Sequence, residues 1–384
     1  MSPVGFIRCV LGVRATLRDH ASAMRPGRYR VTEKGAARVR TEHPPWLLDD
    51  DTGPQHPVKR VLKTLLLRVL GRSRIPSGVA EPPGSDDFRA ELLLVTRNLH
   101  TKLFDYDRRL VLTCADSAVP GAATDLPSGV PRHLPAPRII SRDPDDLWML
   151  EELVPGPPAS ELDGPDQDRA GEWILDTHLE HAVARLSAAE ESPSLLSLDE
   201  LLRRLDGIPE FAPTLNAARA LAQHDDLAFP QIPSHGDLCF KNLILRDGDW
   251  VVLDWEYAGP HSTIYDLLNW MWVQASDRND LTFLRRFLSG EYDRWVEALC
   301  RASGLGDSDS RRSALLSYLV TERLARRYAD RPIADRRWVG SKYALLLQDL
   351  EGDHDGGSPS HMPTTPLVQG ILGGLVPSLL PLVR

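Results

Sequence analysis

Two short stretches near the middle of the chain constrain it most: Ser234-His-Gly-Asp-Leu-Cys-Phe-Lys-Asn242 and, after it, Val251-Val-Leu-Asp254-Trp-Glu256. The first sets a carboxylate and a carboxamide on one loop, and the second sets another carboxylate at the end of an apolar strand. Ile232 and Pro233 stop an apolar run, so His235 and Gly236 fall in a turn, where glycine takes backbone angles that other residues avoid. Asn242 opens the run Leu243-Ile244-Leu245. Arg246-Asp247-Gly248-Asp249 then reads as a hairpin turn and Trp250-Val-Val-Leu253 as the returning strand. The hairpin brings Asp254 back beside Asn242, with Asp237 at its mouth. Polar residues that merely cap an ordinary hairpin would account for any one of these positions. The joint pattern of His235, Asp237, Asn242 and Asp254 is much harder to obtain by chance.

Phosphoryl transfer from a metal-bound nucleotide needs such a set. A base positions the attacking hydroxyl, while an amide and an acid hold the Mg²⁺ that bridges the phosphate oxygens. The spacing His-x-Asp-Leu-x-x-x-Asn equals that of the kinase catalytic loop, with Gly236 where a protein kinase usually carries Arg. Residues 234–270 resemble the aminoglycoside phosphotransferase and choline kinase family, the small-molecule branch of the protein-kinase-like fold. The likeness lies in His235-Gly-Asp-Leu238, in Asp254-Trp-Glu-Tyr-Ala-Gly259 and in the downstream pair Asp266-Leu267. It implies that Asp237 is the catalytic base, that Asn242 and Asp254 bind Mg²⁺, and that Glu256 supports the metal site through water. It makes His235 a structural hydrogen-bonding residue and ATP and Mg²⁺ the cofactors. Asp266 is expected to cap a helix starting near Thr263 and to brace the loop.

Upstream the resemblance continues more faintly. Trp148-Met-Leu-Glu-Glu-Leu-Val-Pro-Gly156 resembles the hinge whose backbone binds adenine, and Pro135-Ala-Pro-Arg-Ile-Ile140 the strand before it. The small lobe departs from the family. Between Arg74 and the catalytic loop there is one lysine, Lys102, and the strand expected to carry the phosphate-binding lysine, Leu110-Val-Leu-Thr-Cys114, has none. No Glu occurs between Glu91 and Glu151, so the usual helix partner is missing unless Asp125 serves, and no Gly-rich loop stands out. Lys102 reads equally as a phosphate ligand or as a solvated residue of an edge strand. Only six of the 45 basic residues are lysines, a bias that does not make Arg a substitute at such a position.

The implied architecture is α+β, a bilobal protein-kinase-like fold with a small β-rich N-lobe and a larger, mostly helical C-lobe. The expected division is an N-terminal extension (1–75) with a basic helix over 57–74, the N-lobe (76–153), the C-lobe with the catalytic loop (154–365) and an apolar tail (366–384). Helices are expected over 170–189, 198–205, 214–223, 263–275, 281–302, 309–328 and 335–350. In the 309–328 helix Leu315, Leu316, Leu319 and Leu324 form the apolar stripe, and Arg311, Glu322, Arg326 and Arg327 a solvated face. Trp270, Trp272, Tyr318 and Glu322 either line the acceptor wall or, for the aromatics at helical spacing, belong to the core.

A chain of 384 residues with 42% hydrophobic residues is long enough for two lobes around a cleft, and a net charge of −9 argues against general nucleic-acid binding. Cys9, Cys114, Cys239 and Cys300 are scattered and point to neither zinc nor a disulfide framework. Cys239 reads as a packing residue, though an exposed thiol there would be open to modification. Residues 1–20 lack the apolar run of a secretory signal. The tail is expected to pack on the C-lobe, with weak peripheral membrane contact as the lesser alternative. Together these features predict a cytoplasmic enzyme that moves the γ-phosphoryl of ATP to a hydroxyl of a small molecule: an aminoglycoside, choline or an amino alcohol, or a sugar. The competing expectation is a pseudokinase, a nucleotide-binding or scaffolding module without turnover. The oligomeric state is not readable from the sequence.

Overall fold

The protein is seen in a computed structural model that describes residues 3–31, 35–38, 72–75, 88–96, 100–115, 133–145, 147–188, 193–222, 227–305 and 312–352. Most of the expected basic helix, Asp125, Arg311 and the apolar tail lie outside these residues.

Helix α1 (Pro3–Asp19) is followed by eight strands that form one antiparallel sheet. They are β1 (Gly27–Val31), β2 (Gly35–Arg38), β3 (Arg72–Ile75), β4 (Leu92–Val95), β5 (Thr101–Asp105), β6 (Leu110–Cys114), β7 (Ile139–Arg142) and β8 (Trp148–Glu152). Their spatial order is β3-β1-β2-β4-β5-β6-β8-β7, so the sheet runs on across residue 75. Residues 72–74, expected to end a helix, are strand β3 instead, laddered on β1 from Arg28↔Arg74 to Arg30↔Arg72. Pairing with a distant strand outweighs local pattern there.

Side chains alternate across each strand, and in β5 Thr101, Leu103 and Asp105 are buried while Lys102 and Phe104 are less so. Leu103 joins Val10, Val13 and Leu17 of α1, with Tyr29, Val31, Phe88 and Leu93, in the core of the small lobe. Helix α1 thereby closes one face of the sheet, and the face bearing Lys102 is left for the cleft.

The large lobe begins after the hinge with α2 (Gly164–Ala188), β9 (Leu195–Ser197), α3 (Leu198–Leu205) and α4 (Ala212–Ala222). Ser197 caps α3, its hydroxyl accepting from the Glu200 amide at 3.1 Å. Then come β10 (Ala228–Ser234), the hairpin β11 (Leu243–Arg246) and β12 (Asp249–Val252), and β13 (Gly259–Ser262), which pairs with β10. Five helices complete the lobe: α5 (Tyr265–Arg278), α6 (Thr282–Leu288), α7 (Asp293–Ala302), α8 (Arg312–Arg327) and α9 (Ile333–Gly352). The expected single helix over 281–302 is thus two. It breaks at Gly290, whose φ of +89° is a left-handed conformation, and a Cβ there would lie 2.6 Å from the Arg312 guanidinium.

Helix α5 is buried from Tyr265 to Ser276, and Trp270 stacks on Phe240 with ring centroids 5.0 Å apart. Trp270, Trp272 and Tyr318 are fully buried and belong to the core, the second of the two sequence readings. The solvated face expected on α8 is not solvated. Glu322 is fully buried, accepting from the Ser262 amide at 3.1 Å and from Arg326 Nε at 2.8 Å, and Arg327 turns into the catalytic loop. Helical periodicity marks the apolar stripe but does not show that α3 and α4 cover one side of α8 and α5 another.

Candidate active site

Strand β10 delivers the chain to His235, and the turn that follows depends on Gly236. Its φ is +77°, and a Cβ would stand 2.3 Å from the Tyr257 carbonyl oxygen and 2.5 Å from His261 Nε2. Asp266, in the first turn of α5, holds this turn from below. Its carboxylate accepts from the His235 amide at 2.7 Å and the Gly236 amide at 3.1 Å. It braces the loop as expected but is not the N-cap, a position taken by Ile264, because its oxygens are committed to the loop amides. Burial alone would raise the Asp266 pKa, yet nearby His178, His235 and His261 and the Gly236 amide hold it below the usual carboxylate value.

His235 is a strut. Its Nδ1 accepts from the Asp237 amide at 3.2 Å, which leaves Nε2 to donate to the Leu253 carbonyl at 2.8 Å. The ring therefore ties the loop to the end of β12, edge-on to Trp255 at 4.8 Å. The β11–β12 hairpin has the expected register, Leu243↔Val252 to Arg246↔Asp249. Its turn residues Asp247 and Gly248 have φ of 53° and 94°, the two-residue turn whose twist suits a hairpin. The Leu253 amide donates to the Asn242 carbonyl at 2.7 Å, so Asp254 emerges next to Asn242. Asn242 Nδ2 donates to the Asp237 carbonyl at 3.0 Å, which ties the side-chain amide to the loop. Asp254 has a left-handed backbone, φ 65° and ψ 58°.

Two acids of the site, Asp254 and Asp237, each meet a cation, and Glu256 meets an imidazole. Lys102 Nζ, from the small lobe, lies 2.5 Å from Asp254 Oδ1. Two residues earlier His100 Nδ1 lies 3.6 Å from Glu256 Oε2. Burial opposes the charge on Lys102, but Asp254 and Glu256 outweigh it and the amine pKa is raised. Burial likewise works against an ionised Asp254, and the neighbouring ammonium holds its pKa below normal. On the other side the Arg327 guanidinium pairs with Asp237 Oδ1, with its carbon 3.9 Å from the centroid of the Tyr257 ring. Desolvation disfavours that charge, and Asp237 more than compensates, so the Arg327 pKa rises well above its ordinary value.

The five sequence-derived positions, His235, Asp237, Asn242, Asp254 and Glu256, thus share one loop-and-hairpin unit. Sequence reasoning missed Arg327, which lies 90 residues from Asp237 and carries no local sign of that contact. It left Lys102 unassigned. Cys239 is buried among these residues, and burial pushes its thiol up to about 12, in keeping with a packing role.

The hinge is locked to the hairpin. The Leu245 amide donates to the Pro157 carbonyl at 3.2 Å, and Arg246 pairs with Glu152 at 2.8 Å. Between them Val154, Ile244 and Val251, with Leu253, form an apolar cluster separate from the main core.

The model of the phosphotransferase enzyme family (APH) matches residues 127–316. That stretch holds the loop and hairpin described above, and the antiparallel small lobe and helical large lobe form a kinase-like α+β fold. No curated protein matches the sequence. Among solved structures the chain is similar to a thermostable mutant of the aminoglycoside phosphotransferase APH(4)-Ia in ternary complex with AMP-PNP and hygromycin B. That pair has 15% identity and a TM-score of 0.37, over 65% of this chain and 89% of the other. It is similar to the amicoumacin kinase hAmiN in complex with AMP-PNP, Ca²⁺ and Ami, at 11% identity and TM-score 0.39, over 65% and 85%. It is also similar to an ethanolamine kinase of Plasmodium vivax, at 11% identity and TM-score 0.33, over 67% and 81%.

Proposed function

We propose that this protein transfers the γ-phosphoryl group of ATP to a hydroxyl of a small molecule. The observation that carries the reading is the convergence of Asp237, Asn242 and Asp254 on one hairpin mouth, with Lys102 Nζ already 2.5 Å from Asp254. A carboxamide and a carboxylate are the hard oxygen donors that Mg²⁺ takes, and the ammonium beside Asp254 is in keeping with a carboxylate that receives a cation. Asn242 and Asp254 would hold the metal, with Glu256 in support. When bound, Mg²⁺ neutralises charge on the phosphate oxygens. Asp237 orients the acceptor hydroxyl and takes its proton on a carboxylate oxygen. His235 keeps Asp237 in register with β12. The apolar cluster of Val154, Ile244 and Val251 under the hinge suits the flat face of adenine. This reading places the protein in the ATP-containing cytoplasm; among the described residues no helix is long and apolar enough to cross a membrane.

Arg327 narrows the acceptor. A molecule approaching Asp237 meets a guanidinium beside it, which repels a polycation and tolerates a neutral or anionic hydroxyl compound. A sugar hydroxyl fits that setting better than choline or an aminoglycoside.

The pseudokinase reading is favoured by the same ion pair, since a base held by a guanidinium is a base engaged elsewhere. Thermal unfolding with ATP and Mg²⁺ separates a nucleotide site from a scaffold, because a ligand that binds only the folded state raises the midpoint. A Mg²⁺-dependent rise, lost in Asp254→Asn, is expected. No rise at millimolar ATP or GTP would sink the phosphotransferase reading.

A further inference from the structure

In kinase-type folds the lysine that touches the nucleotide phosphates sits on the third strand of the small-lobe sheet, paired with a glutamate of a neighbouring helix. The corresponding strand here is β6, which pairs with the hinge strand β8 from Leu110↔Glu152 to Cys114↔Trp148. It carries no lysine, and no glutamate occurs between Glu91 and Glu151. Yet a lysine amine does reach the site. Lys102 stands on β5, directly opposite Thr113 of β6, and Thr113 in turn stands opposite Met149 of β8. Directly opposed residues project from the same face of a sheet with Cβ atoms about 5 Å apart. The face is the open one. Leu103, Leu112 and Leu150 pack on the α1 side, whereas Lys102, Thr113 and Met149 share the other. A displacement of one strand is within the reach of a four-carbon lysine stem.

The reading of Lys102 as a solvated edge residue does not survive the topology. Strand β5 is interior, flanked by β4 and β6, and the Lys102 side chain is 20% exposed. We propose that Lys102 is the phosphate-contacting lysine of this protein, moved from β6 to β5, and that Asp254 and Glu256 position it in place of a small-lobe helix glutamate. His100, just before β5 and 3.6 Å from Glu256, is a second tie between that segment and the loop of Asp254. With a metal-bound triphosphate in the site, the amine would pair with a phosphate oxygen in place of the Asp254 oxygen, and Asp254 would be free to hold the metal. The inference rests on the ATP reading above.

Affinities for Mg²⁺·AMP-PNP and for adenosine, measured by titration calorimetry, test it. Lys102→Met is expected to weaken Mg²⁺·AMP-PNP by roughly ten- to a hundredfold, the loss of a charge-assisted hydrogen bond, and to leave adenosine unchanged. Adding Thr113→Lys to that variant is expected to restore several-fold of the loss by returning an amine to the neighbouring strand. Lys102→Arg, which keeps the charge and the pair with Asp254, controls for folding and should retain part of the affinity. Unchanged affinity for Mg²⁺·AMP-PNP in Lys102→Met, or an equal loss for adenosine, would overturn the inference while leaving the phosphotransferase reading intact. Wild-type protein that binds neither ligand would overturn both.

Discussion

The two aspartates of this site, Asp254 and Asp237, are held in different ways. Asp254 is met by the ammonium of Lys102, a compact charge on a flexible stem that rises from a sheet. Asp237 is met by the guanidinium of Arg327, a planar group at the end of α8 that lies against Tyr257. The first contact is made by a single flexible stem. The second is anchored by a ring as well as a charge. One lobe offers a replaceable partner and the other a fixed one, which under the proposed function suits the former to receiving nucleotide and the latter to selecting the acceptor.

The largest effect should come from the acid on the fixed side. Asp237→Asn is expected to lower phosphoryl transfer by about 10²- to 10⁴-fold, the usual contribution of a general base, with affinity for Mg²⁺·AMP-PNP within twofold of wild type. Steady-state turnover beside nucleotide titration checks both halves. If nucleotide affinity collapses too, the two sides are not separable. Arg327→Gln comes next. It should leave nucleotide affinity unchanged and alter the acceptor KM by roughly tenfold, in the sense of admitting cationic hydroxyl compounds, as expected for one charge pair of about 1.4 kcal/mol. Under the pseudokinase reading the same substitution would instead turn on ATP hydrolysis absent from the wild type.

Acid should distinguish the two sides as well. Beneath the catalytic loop His133 stacks on His181 with ring centroids 3.6 Å apart. Burial, with the neighbouring His181, holds the His133 pKa down to about 3, against a weaker opposing pull from Asp266. His181 and His261 are lowered too, chiefly by burial. The unfolded chain takes up these protons near pH 6.5 and the folded one does not, so stability falls as pH drops below that value. The slope is about 1.4 kcal/mol per pH unit for each histidine kept neutral. Denaturant midpoints between pH 7 and pH 4.5 should show it, and His133→Phe should flatten the curve. A slope unchanged by that substitution would place the acid sensitivity elsewhere.

The smallest effect is expected at Asp277, which pairs with Lys241 at 2.9 Å and Lys342 at 3.7 Å. Although burial opposes it, Lys241 holds the Asp277 pKa down to about 2, so its contribution is complete above about pH 4 and is lost as pH falls toward 2. All three side chains are more than a quarter exposed, which limits the loss in Asp277→Asn to about 1 kcal/mol or less, shrinking further in high salt.

The large-lobe half of the site was legible because its chemistry is local. A turn glycine, a two-residue hairpin turn and alternating apolar strands carry Asp237, Asn242 and Asp254 to one place within a few residues of chain. The small-lobe half was not. Lys102 meets Asp254 across 152 residues, and which strand faces the cleft is decided by sheet order and by α1 covering the opposite face. Large-lobe helix limits were read within about six residues from periodicity, except where Gly290 breaks a continuous pattern, and α1 was not read at all. Periodicity failed for the polar side of α8. A helix packed on several sides buries charges in networks, and Glu322 and Arg327 look in sequence like any solvated pair.

The order of the strands also bears on heredity. The stretch shared with the phosphotransferase family starts at residue 127, beyond β6, whereas β5 and the helix behind it come earlier in the chain. A fragment cut to the shared stretch would keep Asp237, Asp254 and Glu256 and lose Lys102, the amine that meets Asp254. Likeness and completeness therefore have different borders in this molecule: the matched stretch takes in the large-lobe loop and the last two strands of the sheet, while the proposed nucleotide site also requires a lysine that lies before it.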